Sequence, residues 1–214
     1  MVLHGGFWRA RYGRRLEHRV CRDLAARGWA AWNVEYRRLG WLQGGGWPQT
    51  FDDVGAAIDA LAGIDGLDRS RVVTIGHSAG GHLATWAATR ESPAVPVTGA
   101  VSQAGVVDLR LASELGLGGG VVHRLMGGPP ARRAEAYAAG SPAERLPLGV
   151  PVSLIQGGAD DIVPPVVSER FARAARAAGD EVELVVLDGE GHFGHLDPRN
   201  PLWGEAVRWL EGRR

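Results

Sequence analysis

The chain has 214 residues, and its 24 basic side chains balance its 24 acidic ones, so the formal net charge is zero. A neutral chain has no overall field that would draw it to nucleic acid or to an acidic membrane surface. No lysine occurs, so every basic residue is an arginine. That absence excludes a Schiff-base lysine, a Ser-Lys dyad and a P-loop lysine within this chain.

Cysteine content, hydropathy and length narrow the class of protein further. The single cysteine, Cys21, allows no intrachain disulfide. No apolar run approaches the ~18 residues of a membrane span, and the chain starts almost directly with a motif rather than with a signal peptide. We therefore expect one domain over residues 1–214, in the cytoplasm, with no membrane or nucleic-acid partner.

Strand-like and helix-like segments alternate along the chain, which is typical of an α/β fold: a mostly parallel sheet with helices on both faces. The predicted elements are, in chain order, a strand at 1–3, a helix at 14–27, a strand at 29–36, a loop at 39–48, a helix at 51–61, a strand at 71–75, a helix at 79–89, a strand at 97–103, an irregular insertion at 105–149, a strand at 152–156, a helix at 165–178, a strand at 182–187 and a helix at 202–211. Thr50 is the expected N-cap of the second helix. The insertion is rich in Gly and Pro, and we expect it to be short and cap-like, with one or two short helices.

The C-terminal ends of parallel strands share one edge of the sheet, and ligand sites in such sheets lie at that edge.

A nucleophile motif lies at residues 76–81, which read Gly-His-Ser-Ala-Gly-Gly between a predicted strand and a predicted helix. This is the context of a nucleophile elbow, in which a sharp turn forces the serine into a strained conformation that only small neighbours tolerate. The following helix directs its N-terminal amides at the site, which favours developing negative charge. We therefore predict that Ser78 is the nucleophile.

A serine hydroxyl needs a base to remove its proton, and seven histidines compete for that role. His192 follows the last predicted strand in a Gly-rich loop at the expected edge of the sheet, and the adjacent Gly191 suits a tight turn. His195, three residues further on, is the alternative. His192, His195 and Asp197 together would suggest a metal site, but no further ligands support one, so no metal is expected.

The base in turn needs a carboxylate that holds its tautomer and stabilises the imidazolium. Asp160 and Asp161 both follow the predicted strand 152–156, and Asp108 follows the preceding strand as a weaker alternative. The residues alone leave these alternatives open. The chain order Ser, Asp, His is the one expected for a fold with a nucleophile elbow.

A second loop motif, His-Gly-Gly-Phe-Trp at residues 4–8, directly follows the first predicted strand. Acyl transfer builds an oxyanion, which preorganised backbone amides stabilise efficiently. We predict donors from Gly5 and Gly6, whose missing side chains let the backbone approach the substrate. A third donor is expected from Ala79, the residue after the nucleophile.

These motifs together resemble the α/β-hydrolase superfamily over nearly the whole chain. Residues 4–8 are similar to the H-G-G-x-W motif of kynurenine formamidase-like and related small carboxylesterases, and residues 33–37 resemble the strand end of that branch. Residues 157–164 resemble the family's H-G-x-x-D-x-x-V-P segment, which implies Asp160 as the acid and puts Gln156 in place of the usual histidine. Residues 189–193 match its G-x-G-H-F segment, which implies His192 as the base. Similarity to prolyl-oligopeptidase catalytic domains is looser.

The resemblance implies an α/β-hydrolase fold with further N-terminal edge strands, but only three residues precede the H-G-G motif, so either the start is truncated or the protein lacks those strands. In the family's strand order, the strand at 29–36 then becomes an edge of the sheet. Exposed edges favour pairing with another chain, so we expect self-association as a homodimer.

The expected activity is hydrolysis of a carboxylic ester or aryl formamide through an acyl-enzyme on Ser78, with no cofactor. A prolyl-oligopeptidase-like peptidase and a non-catalytic, hydrolase-like binding protein are the alternatives. Trp8, Trp41 and Trp47 lie on or near loops and are expected to line an aromatic pocket for a small-molecule ester or amide. His77, inside the elbow, is a further candidate for contact with the substrate.

Overall fold

The strand segments pair side by side in the computed structural model, which describes residues 1–213. Within these residues there are six strands: β1 Val2–Leu3, β2 Asn33–Val34, β3 Val73–His77, β4 Gly99–Gln103, β5 Val152–Gly157 and β6 Val182–Leu187. They form one sheet in the order β2-β1-β3-β4-β5-β6, and every pairing is parallel. The prediction of a parallel sheet is confirmed, and all the strands end at one edge.

Helices occupy the connections between the strands and follow the last strand. The α-helices are α1 His18–Ala26, α2 Gln49–Asp59, α3 Ala79–Ala87, α4 Leu109–Glu114, α5 Val121–Met126, α6 Ala134–Gly140, α7 Val166–Ala177 and α8 Pro201–Glu211. Short 3-10 helices lie at Arg14–Glu17, Ala60–Gly63, Pro142–Glu144 and Gly194–Leu196. Over residues 1–213, none of the helices combines the length and the apolar character that crossing a membrane requires.

Alternation along the strands divides the core into two layers. Val2 of β1 and Ile155 of β5 belong to one apolar cluster, together with Trp203 of α8. Their chain neighbours Leu3 and Leu154 belong to the other cluster. Successive strand residues point to opposite faces, so apolar side chains are buried on both faces of the sheet, as predicted for helices packed on each side.

The predicted strand at 29–36 is wrong in extent, because only Asn33–Val34 forms a strand. β2 pairs with β1 alone, and β1 itself contributes two residues, so the ladder ends after two pairs. β2 does lie at the edge of the sheet, as expected. Self-association through this edge stays a prediction.

The bounds of most other predicted elements also differ, by one or two residues in the simplest cases. β3 begins at Val73 rather than at residue 71 and continues through His77, because its ladder with β4 includes both Gly76 and His77. The predicted helix at 14–27 is a 3-10 turn followed by α1. The insertion at 105–149 contains three α-helices and one 3-10 turn rather than one or two helices.

Thr50 is not the N-cap that the sequence suggested. α2 begins at Gln49, with Pro48 in the cap position. The Thr50 hydroxyl instead accepts a hydrogen bond from the Gly46 amide at 2.9 Å and donates one to the Arg37 carbonyl at 2.6 Å. It therefore ties the loop before α2 to the end of the β2 segment.

Gly80 is a position where the fold cannot accept a side chain. A β-carbon there would overlap the carbonyl of Leu3 and lie 2.7 Å from the carbonyl of His4. Backbone atoms cannot rotate away, so we expect Gly80→Ala to destabilise the protein by roughly 3 kcal/mol. Gly204→Ala is the matched control, since Gly204 is also helical and its β-carbon would meet nothing within 4 Å. Urea unfolding should show the control unchanged or about 0.5–1 kcal/mol more stable; equal effects of the two variants would contradict the prediction.

Candidate active site

Ser78 lies in the turn between β3 and α3, with φ 56° and ψ −118°. A positive φ is strained for a residue with a side chain, and such strain persists only where the surroundings hold it. The Ser78 amide donates to the Gln103 carbonyl at 2.8 Å. Close packing explains the neighbouring glycine, because a β-carbon at Gly76 would lie 2.8 Å from the Leu3 carbonyl. The turn has the geometry of a nucleophile elbow.

Asp160 and His192 come from different loops, and the structure brings them into direct contact. Nδ1 of His192 lies 2.7 Å from Oδ2 of Asp160, and both side chains are buried. The other carboxylate oxygen accepts the amides of Ile162 and Val163, each at 2.9 Å. A proton on Nδ1 that is donated to Asp160 leaves Nε2 of His192 to act as a base.

Gln156 is a positioning residue that the sequence reasoning missed. Its Nε2 donates to Oδ2 of Asp160 and to the Val163 carbonyl, both at 3.0 Å. Its Oε1 accepts the Ser168 hydroxyl at 2.8 Å, so the amide group is fully oriented. The sequence did contain a signal for this role, because Gln156 takes the place of the family's histidine at the end of β5, four residues before Asp160.

Asp160 keeps its charge in this environment. Burial raises the pKa of Asp160, but the hydrogen bonds from His192 and from the amides of Val163 and Ile162 outweigh burial, and the pKa ends below its ordinary 3.8. The carboxylate is therefore ionised at neutral pH, which is the state that stabilises an imidazolium.

The alternative candidates for the acid, Asp161 and Asp108, and for the base, His195, lie in environments that differ from those of Asp160 and His192. Asp161 is exposed, and Asp108 caps α4 by accepting a backbone amide of that helix. His195 is fully buried, and neither of its ring nitrogens has a partner in the part of the chain that the structure describes. Asp197 pairs with Arg199, and no group of three potential metal ligands occurs within residues 1–213.

His77 joins the elbow to the loop that carries His192. Its Nε2 donates to the His192 carbonyl at 2.8 Å, and the two rings lie 4.5 Å apart. Burial, with the nearby His192 ring, lowers the pKa of His77 to about 3, so its ring is neutral. The ring is 2% exposed. It therefore contacts the histidine loop, and its expected contact with a substrate stays a prediction.

Ser78 and His192 are not joined by a hydrogen bond between their side chains within residues 1–213; the ring of His192 bonds only Asp160. What connects them is His77, which precedes Ser78 in the chain and binds the backbone of His192. Hydrogen bonds between nucleophile and base often tighten only in the substrate complex.

Backbone amides at the mouth of the elbow are free to bind an oxyanion. Among the described residues, the amides of Gly6, Phe7 and Ala79 donate no hydrogen bond. Ala79 is the first residue of α3, where an amide has no partner within the helix. The sequence analysis did not predict the Phe7 amide as a donor, although Phe7 directly follows the Gly5-Gly6 pair.

The Gly5 amide is the remaining donor that the sequence suggested. Like the amides of Gly6, Phe7 and Ala79, it donates no hydrogen bond among the described residues. The Gly5 backbone still packs on the nucleophile, since a β-carbon there would lie 3.2 Å from Cβ of Ser78 and 2.9 Å from Nδ1 of His77. Gly5 therefore lies against the elbow, and the role of its amide in the oxyanion site stays a prediction.

The start of this loop is fastened to the end of β2. Nε2 of His4 lies 2.8 Å from Oε1 of Glu35. The His4 ring stacks on Tyr36 with centroids 4.2 Å apart, and the Tyr36 hydroxyl donates to the His4 carbonyl at 2.6 Å. Glu35 and Tyr36 lie within the segment 33–37 that resembles the family. They therefore hold the loop that contains the H-G-G motif.

The three candidate tryptophans do not form one wall of a pocket. Trp8 is fully buried and meets His82 edge-on at 5.2 Å. Trp47 is half-buried against Phe51 at 4.7 Å. Trp41 is 92% exposed. Trp8 therefore belongs to the core and Trp41 to a solvent-facing loop, and their expected contact with a substrate stays a prediction.

Comparison with known proteins places these features in a family. A sequence model of the prolyl oligopeptidase family matches residues 24–208. Among curated proteins, none matches the chain.

Solved structures share the fold. A thermophilic esterase from Thermogutta terrifontis aligns with a TM-score of 0.77 at 24% identity, covering 99% of this chain and 78% of that one. An acetyl ester-xyloside bifunctional hydrolase from Caldicellulosiruptor lactoaceticus aligns with a TM-score of 0.75 at 20% identity, covering 99% and 81%. A bifunctional GH43-CE protein from Bacteroides eggerthii aligns with a TM-score of 0.81 at 22% identity over 98% of this chain, which spans only 30% of that protein's length.

Proposed function

The chain belongs to the prolyl oligopeptidase family, within the α/β-hydrolase superfamily, and on that premise we propose that it is a serine esterase. The observation that carries the proposal is the buried contact of His192 with Asp160 at 2.7 Å, on a loop that His77 ties to the strained Ser78. A serine, a histidine and a carboxylate in this arrangement are the parts that nucleophilic acyl transfer requires.

The proposed reaction has two steps. Nε2 of His192 takes the proton of Ser78 Oγ as the oxygen attacks the ester carbonyl carbon, and the carbonyl π electrons move to the oxygen. The intermediate collapses, the C–O bond to the alcohol breaks, and His192 protonates the departing oxygen. Water then repeats the sequence on the acyl-enzyme and releases the carboxylic acid.

The oxyanion of each step is assigned to the free amides of Gly6, Phe7 and Ala79. Such donors stabilise charge that is present only in the intermediate and its transition states, and removing a single one costs about 3–4 kcal/mol in characterised enzymes. The proposed reaction requires no cofactor.

An ester is favoured over a peptide because solved structures of the same fold include proteins named as esterases and as an acetyl ester hydrolase. Aryl formamides are the second candidate, supported by the likeness of residues 4–8 to the H-G-G-x-W motif. Both substrates present a carbonyl to the same serine, so only relative rates separate them.

A substrate panel tests the proposal. The purified chain is assayed with p-nitrophenyl acetate, p-nitrophenyl butyrate, N-formylkynurenine and a Gly-Pro p-nitroanilide, and is labelled with a fluorophosphonate probe. We expect labelling, and kcat/KM for an ester at least tenfold above the other classes. Labelling with a preference for the anilide would overturn the ester assignment. No labelling and no turnover of any substrate would favour a non-catalytic binding protein.

A further inference from the structure

A cleft lined by four arginines lies at the same edge of the sheet as Ser78. Its walls come from the segment that follows β1 and from the segment that follows β2, and its volume is about 430 Å³. The charged side chains that line it are those of Arg11, Arg14, Arg15, Arg38 and Glu35. A space of this size holds a small organic or inorganic group rather than a folded partner.

The positive charge of this arginine cleft is a local excess in a chain whose net charge is zero. Residues 9–15 contain four arginines and no acidic residue. The side chains of Arg11, Arg14 and Arg15 are exposed, and among the described residues none of the three forms an ion pair or donates a hydrogen bond. Arg37, on the segment after β2, differs from them, because it pairs with Asp53 at 2.8 Å.

Glu35 is the one carboxylate among the residues that line the arginine cleft, and its oxygens already have partners. Its Oε1 lies 2.8 Å from Nε2 of His4 and 3.5 Å from Nε of Arg38. Its Oε2 accepts the backbone amide of Arg14 at 3.2 Å. Glu35 therefore balances the charge of Arg38, and the guanidinium groups of the other three arginines remain uncompensated.

Tyr12 joins the arginine cleft, which it also lines, to the proposed oxyanion site. A β-carbon at Gly6 would overlap Cβ of Tyr12, so this side chain packs directly on the loop that carries the free amides. The guanidinium of Arg11 lies 5.6 Å from the centre of the Tyr12 ring. On the other side of Gly6, a β-carbon at Gly5 would lie 3.2 Å from Cβ of Ser78. Two residues of one loop therefore separate the arginine cleft from the nucleophile.

We propose that the arginine cleft binds an anionic group of the substrate, so that the preferred esters carry a carboxylate, sulfate or phosphate. Guanidinium groups stay charged in proteins, and their planar fork matches the oxygens of these groups with two parallel hydrogen bonds. Four guanidinium groups against one carboxylate attract an anion and repel a cation. The inference rests on the proposed esterase function, because it names the substrate class of that site.

The arginine cleft acts on substrate binding rather than on the chemical step. The anionic group keeps its charge and its contacts in the ground state and in the transition state, so the arginines lower KM and leave kcat unchanged. Added salt screens exposed charges. KM for an anionic ester therefore rises with ionic strength, while KM for a neutral ester of the same shape stays constant.

The kinetic experiment uses matched anionic and neutral esters. For an anion on the acyl side, p-nitrophenyl hemiesters of adipic, suberic and sebacic acid are compared with the same compounds whose free carboxylate is replaced by a carboxamide. For an anion on the alcohol side, 4-acetoxybenzenesulfonate is compared with 4-acetoxybenzenesulfonamide. In at least one of these pairs, we expect kcat/KM of the wild-type protein to be about tenfold higher for the anionic member, with the difference in KM.

A pair of double variants tests whether the arginine cleft causes this preference. We expect Arg11→Gln/Arg14→Gln to lose the preference and to keep kcat for the neutral esters. Arg22→Gln/Arg173→Gln is the control, because it removes the same charge from exposed arginines of α1 and α7 that form no ion pair among the described residues. Equal rates for anionic and neutral esters in the wild-type protein overturn the proposal. So does a preference that both double variants lose equally.

Calorimetric titration with sulfate tests the arginine cleft without any turnover. We expect sulfate to bind the wild-type protein and the control variant alike, and to bind Arg11→Gln/Arg14→Gln about tenfold more weakly. No binding to the wild-type protein, or equal binding to all three proteins, overturns the proposal. Sulfate binding that depends on Arg11 and Arg14, together with no ester hydrolysis and no fluorophosphonate labelling, supports the anion site and contradicts the esterase function, so the two failures are distinguishable.

Discussion

Ser78→Ala is expected to lower kcat for ester hydrolysis by about 10⁶ and to abolish fluorophosphonate labelling, because the covalent step has no other nucleophile. The fold should survive. The turn is held by backbone contacts such as that of the Ser78 amide with Gln103, and the side-chain hydroxyl has no hydrogen-bond partner among the described residues. Initial rates with p-nitrophenyl butyrate and a thermal melt check both expectations.

Ser153→Ala is the matched control for this experiment. Ser153 is also a buried serine, on β5, and its Oγ has no hydrogen-bond partner in residues 1–213. Its loss removes a buried hydroxyl without touching the elbow, so activity and labelling should stay at the wild-type level. Persistent turnover in Ser78→Ala, or equal losses in the two variants, would contradict the assignment of the nucleophile.

Asp160→Asn is expected to lower kcat by about 10⁴, with little effect on KM. The asparagine retains the shape of the aspartate, and its oxygen can still accept the amides of Ile162 and Val163. It cannot stabilise an imidazolium by charge, and its NH₂ group favours the wrong tautomer of His192. Asp161→Asn, on the exposed neighbour, is the control and should retain full activity. Equal losses of kcat in the two variants would contradict the assignment of Asp160 as the carboxylate that stabilises the His192 imidazolium.

Acid unfolding provides a second readout of Asp160. Its pKa is depressed in the folded protein, so its ionised form contributes stability above the unfolded value of about 3.8, and this contribution is lost as pH falls through the folded value. Asp160→Asn removes that dependence. The stability difference between wild type and variant should therefore shrink on acidification below pH 4, as measured by urea unfolding at successive pH values.

The sequence determined the order of the strands along the chain, and it predicted where the candidate catalytic residues lie between them. Alternation of apolar strands with amphipathic helices is a local property, and it predicted the parallel sheet and the exact bounds of β6, Val182–Leu187. The glycine pattern at residues 76–81 predicted a strained serine, because only certain residues tolerate such a turn. The family resemblance separated Asp160 from Asp161, a choice that spacing alone left open.

Only the tertiary structure decided which groups hold these residues in place. The short ladder of β2 depends on how many residues β1 offers it, and no pattern within residues 29–36 records that number. The contact of Gln156 with Asp160 and the contact of His77 with the His192 carbonyl join residues that the loops and the sheet bring together. Hydrogen bonds and burial of this kind depend on distances in space, and those distances exist only once the sheet has brought the loops to one edge.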